Sequence, residues 1–317
     1  MKQLLLRPRT FHVNLQKSYL VSKLIRDRWL YFMLLPGVFY FLLFKYVPMA
    51  GIVIAFQEYS PFKGITGSKW IGLEHFHLLF GDPVFWMLLK NTLTLSLLNI
   101  VFAFPLPIIV ALMLNEMKNV AYKRLVQTLI YIPHFMSWVI VIGMFFVLFE
   151  SQNGIVQNLA AAAGFEKFSF MLNSDWFRPI YILQNIWKEC GWGTIIYLAA
   201  LAGIDPQMYE AARIDGANRM HQMWHITLPS IRSTIIILLI LRLGDIMDLS
   251  FDHVFLLLNT MNREVAEVFD TYVYNAGIVK GQFSFSTAVG LFKSGVGLIL
   301  IIVANYLSKK LGEEGIF

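Results

Sequence analysis

The chain has 317 residues, of which 57% are hydrophobic and only 15% are charged, and its mean hydropathy is +0.60. Soluble globular domains are about 45–50% apolar and about 25% charged, so this composition excludes a wholly soluble protein. The net charge is +6, and with Cys190 as the single cysteine the chain can form neither an intramolecular disulfide nor a cysteine metal cluster.

The N-terminal segment, residues 1–28, is basic. Its seven basic residues all precede the first long apolar run and are Lys2, Arg7, Arg9, Lys17, Lys23, Arg26 and Arg28. Such a flank is typical of the cytoplasmic side of a membrane span and of contact with anionic lipid, and we do not read it as a nucleic-acid site. The run that starts at Trp29 is longer than a signal-peptide core and lacks an A-x-A exit, so we expect an uncleaved anchor.

Six apolar runs are long enough to cross a membrane, because a helix needs roughly 20 residues to span about 30 Å of hydrocarbon. The predicted spans are residues 29–56, 91–115, 125–149, 179–202, 231–258 and 284–307. The second and third spans carry no charge, whereas the fifth carries five charged residues. The sequence therefore predicts an all-α, polytopic membrane protein with six transmembrane helices.

Basic residues are unevenly distributed between the two sides of this topology. Segments 1–28, 116–124, 203–230 and 308–317 carry 14 of them, and segments 57–85, 150–178 and 259–283 carry 6. The positive-inside rule then places both termini in the cytoplasm of a plasma-membrane protein. The three outward loops contain turn formers and aromatic residues, so we expect structured surfaces there.

The segment between the fourth and fifth spans is neither a short turn nor a charged loop. Asp205 followed by Pro206 is a helix start, since the carboxylate can cap free N–H groups and proline fits the first helical position. Asp215 and Gly216 predict the end of this short helix, and a second helical stretch runs towards Pro229. The pattern predicts a helix-turn-helix.

This segment resembles the EAA loop of type I ABC importer permeases, which have a MetI-like fold. The family spacing is matched by Glu210-Ala211-Ala212, by Gly216, and by Ile226-Thr227-Leu228-Pro229. We call residues 205–229 the EAA segment, and a helix that merely anchors a loop at the membrane is the alternative reading.

The resemblance covers nearly the whole chain and points to the LplB-type branch, which handles complex oligosaccharides. It is carried by residues 44–49, 54–56, 90–92, 112–116, 131–138, 262–267, 287–292 and 312–315.

The resemblance implies a permease core at residues 86–305, preceded by one extra helix and an extracellular loop at 29–85 and followed by a cytoplasmic tail at 306–317. It also implies the partners: a second homologous permease, two cytoplasmic ATPase subunits and an extracellular solute-binding lipoprotein. The chain itself has no G-x-x-x-x-G-K-[ST] phosphate loop, so ATP and Mg²⁺ would be used by the partner ATPases. The residues expected to couple to them are Glu210, Ala211, Ala212, Asp215, Gly216, Ala217, Ile226, Leu228 and Pro229.

Charged residues within predicted spans are candidates for the substrate path, because charges in a membrane are costly and face a bundle interior or a water-filled cavity. Asp245, Asp248 and Asp252 fall on one face of a continuous fifth helix, and we expect Asp248 to pair with Lys293. The alternative is a network that only fixes helix packing.

Span four offers Trp187, Lys188, Glu189 and Trp192, which could hold a sugar by stacking and hydrogen bonds. Tryptophans near span ends are also typical of the membrane interface. We expect His134, next to Pro133, to be a hydrogen-bonded structural residue rather than a proton relay.

The sequence predicts a non-enzymatic permease subunit of an ATP-driven oligosaccharide importer. The resemblance favours acidic oligosaccharides from pectin or rhamnogalacturonan, with alginate or xylan fragments as alternatives. An ion-coupled secondary transporter would use the charges in spans five and six but would leave the EAA segment unexplained. A membrane-embedded enzyme would need a clustered acid, base or metal motif, and the seven histidines are scattered.

Overall fold

The computed structural model describes residues 23, 25–149, 154–164, 170–171, 173–310 and 312. Most of the basic N-terminal segment and the end of the C-terminal tail lie outside the described residues. Within the described ranges the chain is mostly helical, with one small β-hairpin, which confirms the predicted all-α class. These residues form two compact units, one with residues up to 54 together with 59–68, the other with 55–58 and 69 onwards.

The first unit contains most of the predicted first span. Helix α1 is Arg28–Phe41. A π-helical turn, Leu42–Tyr46, and the short helix α2, Val47–Met49, continue the helical path. Pro48 cannot donate a backbone hydrogen bond, and a widened turn just before it is the expected local response. A 3₁₀ stretch, Ala50–Phe56, leads into the second unit, and α3, Gly64–Gly67, completes the first.

The second unit opens with a small antiparallel hairpin of β1, Gln57–Glu58, and β2, Lys69–Trp70, in which Gln57 faces Trp70. The helices that follow, up to the EAA segment, are α4 Glu74–Gly81, α5 Pro83–Leu98, α6 Pro105–Glu116, α7 Val120–Tyr131, α8 Trp138–Phe149, α9 Ile155–Ala162 and α10 Ser174–Ala202. A π-helical turn, Asn99–Ala103, joins α5 to α6, and Pro105, which cannot donate a backbone hydrogen bond, accounts for the widened turn. The loop predicted at residues 57–85 is therefore structured, as expected.

The EAA segment and the C-terminal part contain the remaining helices. They are α11 Pro206–Ile214, α12 Arg219–Gln222, α13 Leu228–Ser230, α14 Arg232–Gly244, α15 Phe251–Leu257, α16 Arg263–Ala266, α17 Phe269–Tyr274 and α18 Phe283–Lys310. Two further π-helical turns are Met223–Thr227 and Asn275–Val279. The predicted loop 259–283 is thus structured too.

Three helical segments among the described residues are long and apolar enough to cross a membrane, namely Arg28–Phe56, Pro83–Glu116 and Phe283–Lys310. Two bent pairs bring the number to five if each pair is one span. Helix α10 has 29 residues, enough length for a span, but its polar residues keep it out of this apolar set. Six spans remain a prediction.

Two predicted spans are not continuous helices. The third bends by 102° between Phe135 and Trp138. Pro133 interrupts the backbone hydrogen bonds of the first helix. Ser137 then caps the next helix, because its hydroxyl accepts a hydrogen bond from the Ile140 N–H at 3.4 Å. The fifth ends as a helix at Gly244, and residues 245–250 are irregular before α15. The prediction of one continuous fifth helix was wrong.

The core of the second unit mixes apolar clusters with buried polar side chains. The largest cluster joins residues of α5, α8, α10, α15 and α16, including Leu95, Val141 and Val254. A chain of hydrogen bonds runs beside this cluster. The Asn185 amide donates to the Asn99 side-chain oxygen at 2.5 Å, and the Asn99 amide donates to the Tyr181 hydroxyl at 3.2 Å. Polar residues buried inside apolar helices are the ones expected to surround a functional cavity.

Candidate functional site

The EAA segment is the predicted helix-turn-helix. Asp205 caps α11 by accepting a hydrogen bond from the Gln207 N–H at 2.9 Å. The helix ends in a Schellman motif: Gly216 has a φ of +79°, and the Ala217 N–H donates to the Ala212 carbonyl at 2.8 Å. Both ends of α11 are therefore set by the residues that the sequence singled out.

The second half of the segment is tied back to the first and to α6. Asn218 caps α12, and the Tyr209 hydroxyl lies 3.0 Å from the Thr227 hydroxyl. Arg219 forms an ion pair with Glu116, the last residue of α6, at 3.0 Å. The EAA segment thus contacts the C-terminal end of α6, the helix that follows the π-helical turn with Asn99.

The EAA segment presents a surface that is both acidic and apolar. Glu210, Ala211, Asp215, Gly216 and Pro229 are exposed, while Ala212, Ala217, Ile226 and Leu228 are half-buried. Four large apolar side chains that the sequence reading missed are also exposed: Met208, Ile214 (87% exposed), Met220 and Trp224. Exposed apolar patches of this kind mark surfaces that contact another protein or a membrane.

A cavity of about 440 Å³ with a mixed polar and apolar lining lies between the π-helical turn after α5, helix α10, and the end of α14 with the irregular residues 245–250. Its polar wall consists of Ser96, Asn99, Tyr181, Asn185, Glu189, Arg242, Asp245, Asp248 and Ser250, and Trp138 and Trp192 supply aromatic surface. Hydroxyl and amide groups beside aromatic faces are suited to a carbohydrate, and the volume falls in the usual range for ligand sites, about 300–1,000 Å³.

The structure brings four of the seven predicted substrate-path residues to this cavity, namely Glu189, Trp192, Asp245 and Asp248. The other three, Trp187, Lys188 and Lys293, do not line it. Lys188 is buried and donates to the His134 carbonyl at 2.6 Å. Trp187 is half-exposed beside Phe145, with ring centroids 6.3 Å apart.

His134 is a hydrogen-bonded residue, as expected, and belongs to the corner between α7 and α8. Its Nδ1 lies 2.8 Å from Glu189 Oε2, and its ring stacks on Trp192 with centroids 4.4 Å apart. Glu189 is also 3.4 Å from the Lys188 ammonium. These contacts fix the orientation of the Glu189 and Trp192 side chains at the cavity wall.

The predicted pair between Lys293 and Asp248 is present, and a third residue joins it. The Lys293 ammonium contacts one carboxylate oxygen of Asp248 and one of Asp270. Asp252 belongs to the separate helix α15 and does not line the cavity. The expectation that three aspartates share one helical face was wrong because the helix ends at Gly244, whose backbone packs tightly against Ile301 and Gly297 of α18.

Sequence reasoning missed Asn99, Tyr181 and Asn185 as cavity residues and Asp270 as a partner of Lys293. The asparagines are polar residues inside predicted spans, a signal that a reading confined to charges overlooks. Asp270 lay outside every predicted span and left no comparable signal.

Removing the charge of Lys293 should destabilise the protein, because two carboxylates then face each other without a cation. We expect Lys293→Gln to lower the free energy of unfolding by about 2 kcal/mol. Asp248→Asn should lower this free energy by a smaller amount. The loss stays below that of a fully buried pair because the Asp248 side chain is 69% exposed. Thermal unfolding in detergent and uptake assays would measure both effects, and normal stability and uptake in both variants would leave the cluster without a role.

Comparison with known proteins places these features in one family. A profile of the family described as "Binding-protein-dependent transport system inner membrane component" matches residues 103–313. The polygalacturonan/rhamnogalacturonan transport system permease protein YteP of Bacillus subtilis is 61% identical over 95% of this chain and 94% of its own length. Protein LplB of the same organism is 54% identical over 94% of this chain and 93% of its own.

Solved structures give the same result. A chain in the crystal structure of a bacterial alginate ABC transporter, in complex with an alginate pentasaccharide-bound periplasmic protein, superposes with a TM-score of 0.85. The two chains are 41% identical, and the match covers 93% of this chain and 99% of the other. The protein is therefore a member of the family of inner membrane components of binding-protein-dependent transport systems, a multi-pass permease subunit with the MetI-like fold of ABC transporters.

Proposed function

We propose that this chain is one permease half of an ATP-driven importer for acidic oligosaccharides derived from pectin or rhamnogalacturonan. The observation that carries the substrate class is the 61% identity to a polygalacturonan/rhamnogalacturonan permease over nearly the full length of both chains. Alginate fragments are the second candidate, because the solved relatives belong to an importer of alginate, itself an acidic polysaccharide. An ion-coupled secondary transporter draws no support from the family match.

The proposed partners are a second, homologous permease, two ATPase subunits on the cytoplasmic face and an extracellular binding lipoprotein. The exposed acidic and apolar side chains of the EAA segment support docking to an ATPase, since carboxylates can meet cations and large apolar groups can fill a groove. In this complex the partner ATPases use ATP and Mg²⁺, and the permease performs no covalent chemistry.

The proposed topology has six spans with both termini in the cytoplasm. It rests on the bias of basic residues, 14 against 6. Helix α10 supplies the fourth span despite its polar residues, because those residues line the cavity or are paired. The bent pair of α7 and α8 counts as the third span, and α14, the irregular residues 245–250 and α15 together make the fifth.

Transport requires that movement of the EAA segment reach the cavity. The ion pair between Arg219 and Glu116 supports such a path, because α6 runs without interruption from Glu116 back to the turn that carries Asn99. Closure of the ATPase dimer would shift the EAA segment and change which side of the membrane the cavity faces. The pair itself is exposed and contributes little stability, so its role would be mechanical.

The decisive test is ATP hydrolysis by the purified complex in the presence of its binding protein and defined sugars. Oligogalacturonates and rhamnogalacturonan fragments should stimulate hydrolysis, and neutral oligosaccharides of the same length should not. Stimulation by alginate fragments alone would keep the importer and replace its substrate. If no ATPase subunit co-purifies under gentle detergent conditions, the proposed coupling through the EAA segment is wrong.

A further inference from the structure

Arg242 is placed where a charged ligand can reach it. It lies in the last turn of α14, two residues before the helix ends at Gly244, and it lines the cavity. Ten residues separate it from Arg232 at the start of the helix, a rise of about 15 Å, or half the thickness of a bilayer core. A cation at that depth is costly unless it faces water or an anion.

Arg242 is the single cation among the described residues that line the cavity, whose three acidic residues are Glu189, Asp245 and Asp248. Two of these acids already have cationic partners: Glu189 is close to Lys188, and Asp248 contacts Lys293. Arg242 itself forms no ion pair or hydrogen bond through its side chain within the part of the chain that the structure describes. Its guanidinium is therefore available to a ligand.

The other groups on the wall suit the rest of a sugar. Asn99 and Asn185 offer amide groups, Asp245 offers acceptors for hydroxyl groups, and Trp192 presents a face held in place by its stacking on His134. None of these can pair with a carboxylate as a guanidinium does, through two parallel N–H donors. A uronate therefore has one site on this wall for its charge and several for its hydroxyls.

We propose that Arg242 binds the carboxylate of a uronate unit while the oligosaccharide occupies the cavity, so that the permease itself discriminates acidic from neutral sugars. This inference rests on the proposed import of acidic oligosaccharides. Binding at Arg242 would select acidic sugars a second time, after the proposed binding protein has selected them first.

Selection by the permease can be measured without the binding protein. The probes are radiolabelled digalacturonate and its dimethyl ester, which has the same sugar rings and hydroxyls, two added methyl groups and no charge. Equilibrium binding to the detergent-purified complex of permeases and ATPases, with and without a non-hydrolysable ATP analogue, gives the affinity of each. The wild type should prefer the acid by at least about tenfold in one of the two states, as sites built around a polar partner do.

The variant Arg242→Gln should lose this preference through weaker binding of the acid, while its affinity for the ester stays within about twofold of wild type. Arg242→Lys should keep part of the preference, since it retains the charge but not the paired donors. Lys280→Gln, which removes an exposed charge that is not part of the cavity wall, is the matched control and should behave as wild type.

An unchanged preference in Arg242→Gln, or a wild type that binds acid and ester equally or binds neither, would overturn the inference. If Arg242→Gln does not assemble, the comparison of Arg242→Lys with wild type decides. The proposed function fails separately, when no acidic sugar stimulates ATP hydrolysis by the wild-type complex with its binding protein. The two failures can therefore be told apart.

Discussion

Replacing Glu210 by Lys, or Gly216 by Val, should abolish sugar-stimulated ATP hydrolysis and uptake while leaving the amount of chain in the membrane unchanged. Glu210 is exposed on α11, so a reversed charge acts on the partner and not on the core. Gly216 has a φ of +79°, which a β-branched residue adopts only at a cost of roughly 1–2 kcal/mol. The turn between the two helices would then be displaced. ATPase assays of the reconstituted complex measure both effects.

The matched control for the turn is Gly216→Asn, because asparagine tolerates the left-handed conformation far better than valine. No atom lies within 4 Å of a Cβ placed at Gly216, so only backbone conformation separates the two variants. We expect Gly216→Asn to retain most of the activity. Wild-type hydrolysis and uptake in Glu210→Lys or Gly216→Val would show that the EAA segment does not dock an ATPase.

A second large effect is expected from adding one methyl group at Gly191, in the middle of α10. A Cβ there would overlap the backbone carbonyl of Ile130 in α7, so the two helices could not keep their present contact. Overpacking typically costs 1–3 kcal/mol, and a clash with backbone cannot be relieved by a rotamer change. Gly191→Ala should therefore lower the free energy of unfolding by about 3 kcal/mol and move the corner that carries His134.

Thermal unfolding of the detergent-purified protein would measure this loss. Gly290→Ala is the matched control in another long helix, since nothing lies within 4 Å of a Cβ at that position. It should leave the unfolding temperature unchanged. Equal unfolding temperatures for Gly191→Ala and Gly290→Ala would mean that α7 and α10 do not pack as closely as described.

The most predictable element was the EAA segment, because its signals are local. A capping aspartate, a proline at the first helical position and a glycine at the helix end each act within a few residues. The structure has Asp205, Pro206 and Gly216 in these roles. The large exposed side chains beside them were overlooked, since exposure depends on what the rest of the chain covers.

The third and fifth spans were less predictable, because apolar composition does not say where a helix breaks. Pro133 and Ser137 signalled the first break locally, although a uniformly apolar run hid it. The break after Gly244 lies at a tertiary contact, since this glycine packs closely against Ile301 and Gly297 of α18, more than fifty residues away. Asp252 was placed on the wrong face for that reason.

The sequence by itself determined the all-α membrane class, the helix-turn-helix of the EAA segment, the family, and the contact between Lys293 and Asp248. The class and the helix-turn-helix follow from composition and local spacing, the family from the resemblance of the quoted motifs, and the contact from the high cost of unpaired charge in a membrane. Only the tertiary structure decided which polar residues share a cavity, and that Asp270 joins the Lys293 cluster. A cavity is formed by residues from separate helices, and their relative positions depend on close packing between distant parts of the chain.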